Sequence, residues 1–261
     1  GLLGGELLFR GRPWRGGLLT AVALGCALLA GHFQIAAYVW LVTLGSAAVH
    51  TVYWASKRME GRRPTPYRTA AIGLVIAVVV GVSFGAIQLL PTLELGANSP
   101  RGAGDVSAAG YEFHRQRALA PIELLTMVDP DFLGSPVDGD YPGISYSEHC
   151  AYIGVVGFVG LLLALIMGRR SRHIMLFGGI AVLALWTAMG GLPSYAYYYW
   201  IPKLGLAGGF SRLLSVFTCA AAVLAGLGYT ALIRSLPEKQ QKWAGGLVWI
   251  LVAFALFRAV P

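Results

Sequence analysis

The chain is 261 residues long, 56% hydrophobic and only 12% charged, with a formal net charge of +8. A soluble domain carries nearer ~25% charge, so the composition excludes a water-soluble globule, and the apolar content excludes a disordered chain. The 35 glycines follow no triplet period, which excludes a collagen-like chain, and Cys26, Cys150 and Cys219 are too few and too scattered for a disulfide framework or a zinc site.

In chain order, Gly1 to Phe9 reads as the tail of an earlier apolar element. A secretory signal places a basic region before its apolar run, and here the order is reversed. The chain is therefore expected to be a piece of a longer protein that lacks the N-terminal part.

A bilayer core about 30 Å thick needs about 20 helical residues, with about 17–25 tolerated. Seven stretches qualify: residues 13–31, 35–54, 69–90, 151–167, 173–189, 212–233 and 244–260. Pro13 suits the first turn of the first, and Pro91 is expected to stop the third. Backbone groups in lipid must be satisfied internally, so these are helices rather than strands. The expected fold is all-α, a single polytopic membrane domain of about seven transmembrane helices with one large extracytoplasmic loop, residues 91–150.

Orientation follows from the Lys/Arg bias of alternate connections. One side collects fourteen basic residues, Arg10, Arg12, Arg15, Arg68 and Arg234 among them, against three acids, a net of +11. The other side has six basic residues and nine acids, a net of −3. The basic side is assigned to the cytoplasm, which puts the N-terminal segment inside and the C-terminus outside. The excess of positive charge is thus a topology signal, and nucleic acid is not needed as a partner.

The long outer loop contains the amphipathic run Pro121 to Val128, suited to the membrane surface. A second outer loop, Gly190 to Ser211, is rich in Tyr195, Tyr197, Tyr198, Tyr199 and Trp200, read first as an interfacial aromatic belt and second as a sugar-stacking surface.

Candidate chemistry sits at the helix ends. His32 and Gln34 form a polar corner between the first two spans, either donors to a ligand at the membrane surface or partners for free backbone groups. Gln88 lies near the outer end of the third span and suits a hydrogen bond between helices. Glu94, just beyond it, is a candidate base or an ordinary solvated acid. Asp129/Asp131 and Asp138/Asp140 have the spacing by which a divalent cation can be held by oxygen ligands, and they are equally turn chemistry. Arg212, at the outer mouth of the sixth span, is a guanidinium that can fork onto a phosphate or snorkel to lipid headgroups. His114, Arg115 and Arg117 can serve the same end from the long loop. Phosphate-loop, nucleophile-elbow and zinc-protease motifs are missing from the sequence.

Several short motifs, in order, resemble the YfhO-like family of bacterial membrane proteins: Leu28-Leu29-Ala30-Gly31-His32-Phe33-Gln34, Gln88 to Glu94, Pro130 to Gly134, Tyr152-Ile153-Gly154, Gly190 to Tyr195 and Phe210-Ser211-Arg212. Phe33 stands where the family usually has proline, and of the family's Phe-Arg-x-Pro-x-Arg run only Arg212 remains. The resemblance spans about Leu28 to Tyr229. It implies a glycosyltransferase of the multi-spanning type that takes a sugar from a polyprenyl-phosphate carrier. The acceptor would be a cell-envelope glycan or lipid on the outer face of the bacterial cytoplasmic (inner) membrane. Catalytic carboxylates of such enzymes lie in a first outer loop that matches nothing in this chain. On this reading Arg212, His32 and Gln34, with Gln88 and Tyr195, bind the carrier phosphate and its sugar. The competing readings are a lipid or sugar transporter or flippase, and a non-catalytic membrane scaffold.

Overall fold

The computed structural model describes residues 1–10, 12–59, 67–98, 106–143, 145–167, 171–201, 208–237 and 240. Every regular element among them is helical, as expected for an all-α chain. In order they are α1 (Leu2–Phe9), α2 (Pro13–Leu29), α3 (Phe33–Met59), α4 (Tyr67–Ala97), α5 (Ala108–Gln116), a 3₁₀ helix (Pro121–Met127), α6 (Tyr146–His149), α7 (Val155–Met167), α8 (Arg172–Ala188), α9 (Leu192–Trp200), a 3₁₀ turn (Phe210–Leu213) and α10 (Leu214–Ser235).

Three helical segments among the described residues are long and apolar enough to cross a membrane: Phe33–Val52, Arg68–Ala97 and Phe210–Ser235. A fourth results if α8 and α9, bent by 82° at their junction, form one broken span. These apolar helices are compatible with a membrane protein, but they do not make seven spans. At 1.5 Å per residue, the 17 residues of α2 reach about 26 Å, at the lower limit for a span. The helix gives out at Ala30 because Gly31 takes a left-handed φ of 76°, its N–H bonded back to Leu28 O at 3.2 Å. In α7 only 13 residues are helical, because Ala151 to Gly154 are not. The seventh expected span, residues 244–260, lies outside the described residues.

The third span runs past Pro91 to Ala97 instead of stopping before it. Proline removes one backbone donor. The next residue ties the weakened turn from its side chain, Thr92 Oγ1 donating to Gln88 O at 2.7 Å. The expected 91–150 loop is accordingly broken up by the end of α4, by α5, by the 3₁₀ helix and by α6. The second expected loop is also partly helical, since Tyr195 to Trp200 belong to α9. Its geometry follows from Gly190-Gly191-Leu192-Pro193. Gly190 (φ 70°) donates to Thr187 O and Gly191 to Trp186 O, each at 3.0 Å, the paired bonds that close a helix C-terminus. Pro193 then sits in the first turn of α9, where its missing N–H costs nothing.

The chain divides into two compact units, Gly1–Leu119 with Ala184–Val216, and Ala120–Leu183 with Phe217–Pro261. In the first, α1 packs on α2, α3 and α4, and Leu8, Phe9, Ala47 and Ala70 form a buried cluster. Helices α2 and α4 run in the same direction along facing small residues, Gly17, Ala21 and Gly25 against Gly73, Ala77, Gly81 and Gly85. A methyl on Gly81 would stand 3.1 Å from Ala21 O, so the two backbones approach as small-residue seams allow. In the second unit, Gly228 of α10 lies against the backbone of Gly160 on α7, and Tyr229 donates to Val156 O at 2.8 Å.

Candidate functional site

The first unit contains a buried polar cluster built from three separated parts of the chain. His32 opens α3: its carbonyl accepts from Ala36 N at 2.9 Å and its Nδ1 from Ile35 N at 3.4 Å. That start turns Gln34, in the first turn of α3, into the protein, where it is only 2% exposed. One helical turn on, Tyr38 lies on the same face. Gln34 Nε2 donates to Tyr38 Oη at 2.7 Å and to Tyr197 Oη at 3.0 Å, and the two hydroxyls share a further bond at 2.9 Å. Gln34 Oε1 accepts from Arg212 Nη1 at 2.8 Å. This orientation of the amide is the one that works, because reversing it would set an NH₂ against a guanidinium.

Rings surround these groups. Tyr38, Tyr197, Tyr198 and Phe210 form a buried cluster, with Tyr111 of α5 packed against it. Tyr111 lies 5.6 Å from the Tyr198 ring and 5.9 Å from Phe210, and its hydroxyl bonds to Ser194 Oγ at 3.0 Å. His114, one turn along α5, is half-buried beside Tyr198 and Phe210, each ring 5.9 Å away. Burial first, then the positive charges of Arg117 and Arg212, hold its imidazole below the usual histidine range. A neutral imidazole and a guanidinium therefore share one aromatic-walled region. Such a pairing can bind an anion and move a proton beside it.

The expected site residues separate into those that meet here and those that do not. Gln34 and Arg212 come together. Tyr195 is at the rim, its ring tilted against that of Tyr199 with centroids 4.4 Å apart, while Tyr197 and Tyr198 are buried rather than part of an interfacial belt. His32 is exposed and serves the backbone. Gln88 stays on its own helix, Nε2 donating to Thr92 Oγ1 at 3.3 Å. Glu94 is exposed near the end of α4, its carbonyl accepting from Asn98.

In the second unit the aspartates organise turns. Asp129 Oδ1 accepts from Asp131 N at 3.2 Å, Asp131 Oδ1 from Tyr146 Oη at 2.7 Å, and Asp140 Oδ1 from Ser135 N at 2.7 Å. No group of three or more His, Cys, Asp or Glu placed to hold a metal occurs among the described residues.

Two acid–imidazole pairs escape the sequence reading. Glu6 of α1 bonds to His50 Nε2 and, at 2.7 Å, to Arg10. Glu123 bonds to His149 Nδ1 at 2.8 Å and accepts from Ala120 N at 2.5 Å. An ionisable residue inside an apolar helix, as His50 is, was the available signal for the first. Tyr38 was legible from its spacing to Gln34, whereas nothing in the sequence singles out Tyr197 from its neighbours.

Comparison with protein-family models, with curated proteins and with solved structures finds no match to this chain. Fold and site together define a helical chain compatible with a membrane, whose described part gathers one arginine, one buried amide and a ring of tyrosines.

Proposed function

We propose that this chain is part of a membrane glycosyltransferase that takes a sugar from a polyprenyl-phosphate carrier on the extracytoplasmic face of the bacterial cytoplasmic membrane. The observation that carries the reading is the Arg212–Gln34 bond, which brings together two residues 178 positions apart in a tyrosine-walled cluster. In the reaction a carboxylate takes the proton of an acceptor hydroxyl, whose oxygen forms the new bond to the sugar carbon. The bond from that carbon to the carrier phosphate breaks, and negative charge builds on the departing phosphate. A guanidinium has five N–H donors in a fixed fork, suited to that charge, and Gln34 fixes the position of one of them. Tyr195, exposed at the rim, offers a face for a sugar ring. No residue of this chain is assigned as that carboxylate; Glu94, the candidate from the sequence, is exposed near the end of α4 and makes no bond to the cluster among the described residues.

The test is transfer from a labelled polyprenyl-phosphate sugar by the protein in membranes, comparing Arg212→Ala with Arg212→Lys. Loss of a donor aimed at developing charge costs about 10²–10³ in kcat. The alanine variant should lose that much, and lysine should recover part of it. Unchanged transfer and unchanged carrier affinity in a folded Arg212→Ala protein would sink the proposal.

The 82° break between α8 and α9 favours a second reading, transport of the lipid or sugar, because transporters build sites at broken helices. Movement of label across the membrane without a covalent product would select it.

A further inference from the structure

We infer that the groove between the N-terminal ends of α2 and α4 is a binding site for one anionic phospholipid, the acyl chain in the groove and the phosphate at its arginine-bearing end. This inference rests on the membrane embedding in the reading above, and on nothing else in it. The groove has a volume of about 310 Å³ and is lined by Pro13, Trp14 and Leu18 of α2 and by Thr69, Ile72 and Ile76 of α4, among others. Its lining is almost wholly apolar, and Trp14 stands 86% exposed on it. An indole in that position is the side chain that favours the boundary between headgroups and hydrocarbon.

Charge selects the occupant. Because α2 and α4 run in the same direction, both N-termini lie at the same end of the groove. Neither helix carries an acid in its first turn. Arg12 and Arg15 flank the two groove residues Pro13 and Trp14, Arg68 precedes Thr69, and all three arginines are exposed. The start of α2, which has no side-chain cap, adds the partial positive charge of a helix N-terminus. An apolar slot with three exposed arginines next to its lining residues and the N-terminus of α2 at the same end matches an acyl chain ending in a phosphate. A zwitterionic lipid would bring its own ammonium to an end that is already positive.

The full chain is reconstituted in phosphatidylcholine vesicles that contain a minority of phosphatidylglycerol or phosphatidylcholine with brominated acyl chains. The Trp14 signal is isolated as the difference between the wild type and Trp14→Phe. Brominated phosphatidylglycerol should quench Trp14 with at least about fivefold preference, the worth of one arginine at an anionic surface. The triple change Arg12→Gln, Arg15→Gln, Arg68→Gln should bring that preference to parity with helicity unchanged. Gly17→Leu, which places a side chain in the groove, should reduce quenching by both lipids. Equal quenching by the two lipids in the wild type overturns the inference and leaves the membrane reading standing. Protection of Trp14 while other tryptophans are quenched overturns it in favour of a second protein copy on the groove. Quenching of no tryptophan by either lipid overturns the membrane reading and the inference with it.

Discussion

Replacing Gln34 by methionine keeps the length and flexibility of the side chain and removes its three hydrogen bonds. The cost can be apportioned. Tyr38 and Tyr197 keep the bond between their own hydroxyls at 2.9 Å, so each oxygen loses only an accepted bond. The Arg212 Nη1–H loses its carboxamide acceptor, and bonds to charged groups are worth about 1.5–3 kcal/mol. Side-chain bonds between membrane helices average about 0.6 and reach about 1.7 kcal/mol. With Gln34 only 2% exposed and its partner charged, the upper end applies, about 1.5–2 kcal/mol. In a domain of this size each kcal/mol is worth about 2–4 °C, so Tm should fall by about 3–8 °C. The assay is thermal unfolding of the detergent-solubilised protein for Gln34→Met, Arg212→Met and the double variant. If the bond carries the energy, the double variant is little worse than either single one, with a coupling of about 1–2 kcal/mol. A coupling within about 0.3 kcal/mol of zero, the range of independent sites, would refute the assignment of that energy to the Arg212–Gln34 bond.

Three further outcomes follow from other parts of the structure. His114 has a folded pKa below its ordinary ~6.5, so the unfolded chain binds more protons. The stability it contributes is present above about pH 6.5 and is lost as pH falls through the folded pKa; Gln in its place should flatten that limb of a Tm-versus-pH curve. On α2, a methyl at Gly17 meets only Gly73 O at 3.6 Å, whereas on α4 a methyl at Gly81 presses on Ala21 O and Leu24 Cβ, each at 3.1 Å. Gly17→Ala should be neutral or stabilising by up to about 1 kcal/mol and Gly81→Leu destabilising by about 1–3 kcal/mol, read as opposite shifts in Tm. Glu123→Ala removes both the bond from Ala120 N and that to His149, and should cost about 1–3 kcal/mol; Glu123→Gln, which can still accept from Ala120 N, should cost less in the same unfolding assay.

The all-helical fold was legible because the apolar runs are too long and too uncharged for anything else. The number of spans was not, and the reason is specific. Hydropathy reports which residues lipid tolerates, while the length of a helix is decided where its last carbonyls find partners. Gly31 and Gly190 end α2 and α8 by adopting left-handed backbone and taking carbonyls of the preceding turn. Gly31 is visible in the sequence as a glycine after an apolar run, and giving it precedence over the hydropathy window would have ended the first expected span before residue 31, whereas the fifth, 173–189, already stopped short of Gly190. Pro91 misled in the other direction. It is an equally plain stop signal, yet α4 continues through it to Ala97.

The same division between local and distant information runs through the site. Gln34 and Arg212 stand out one by one, as polar groups beside apolar helices, and Tyr38 follows from Gln34 by a single helical turn. Their convergence does not, because residues 34 and 212 meet only through the packing of α3, α9 and the 3₁₀ turn before α10. A buried amide that makes three bonds to three separate side chains has almost no freedom to face elsewhere. Gln34 therefore acts as the device that holds Arg212 in place, and a ligand would meet the guanidinium rather than the amide. The distinction is measurable. In the transfer assay Gln34→Met should lower kcat and stability together, because it loosens Arg212, whereas Arg212→Lys should lower kcat with stability nearly kept. If Gln34→Met left stability intact and lowered kcat alone, the amide would be touching the reacting groups, and the positioning role would pass to the tyrosines.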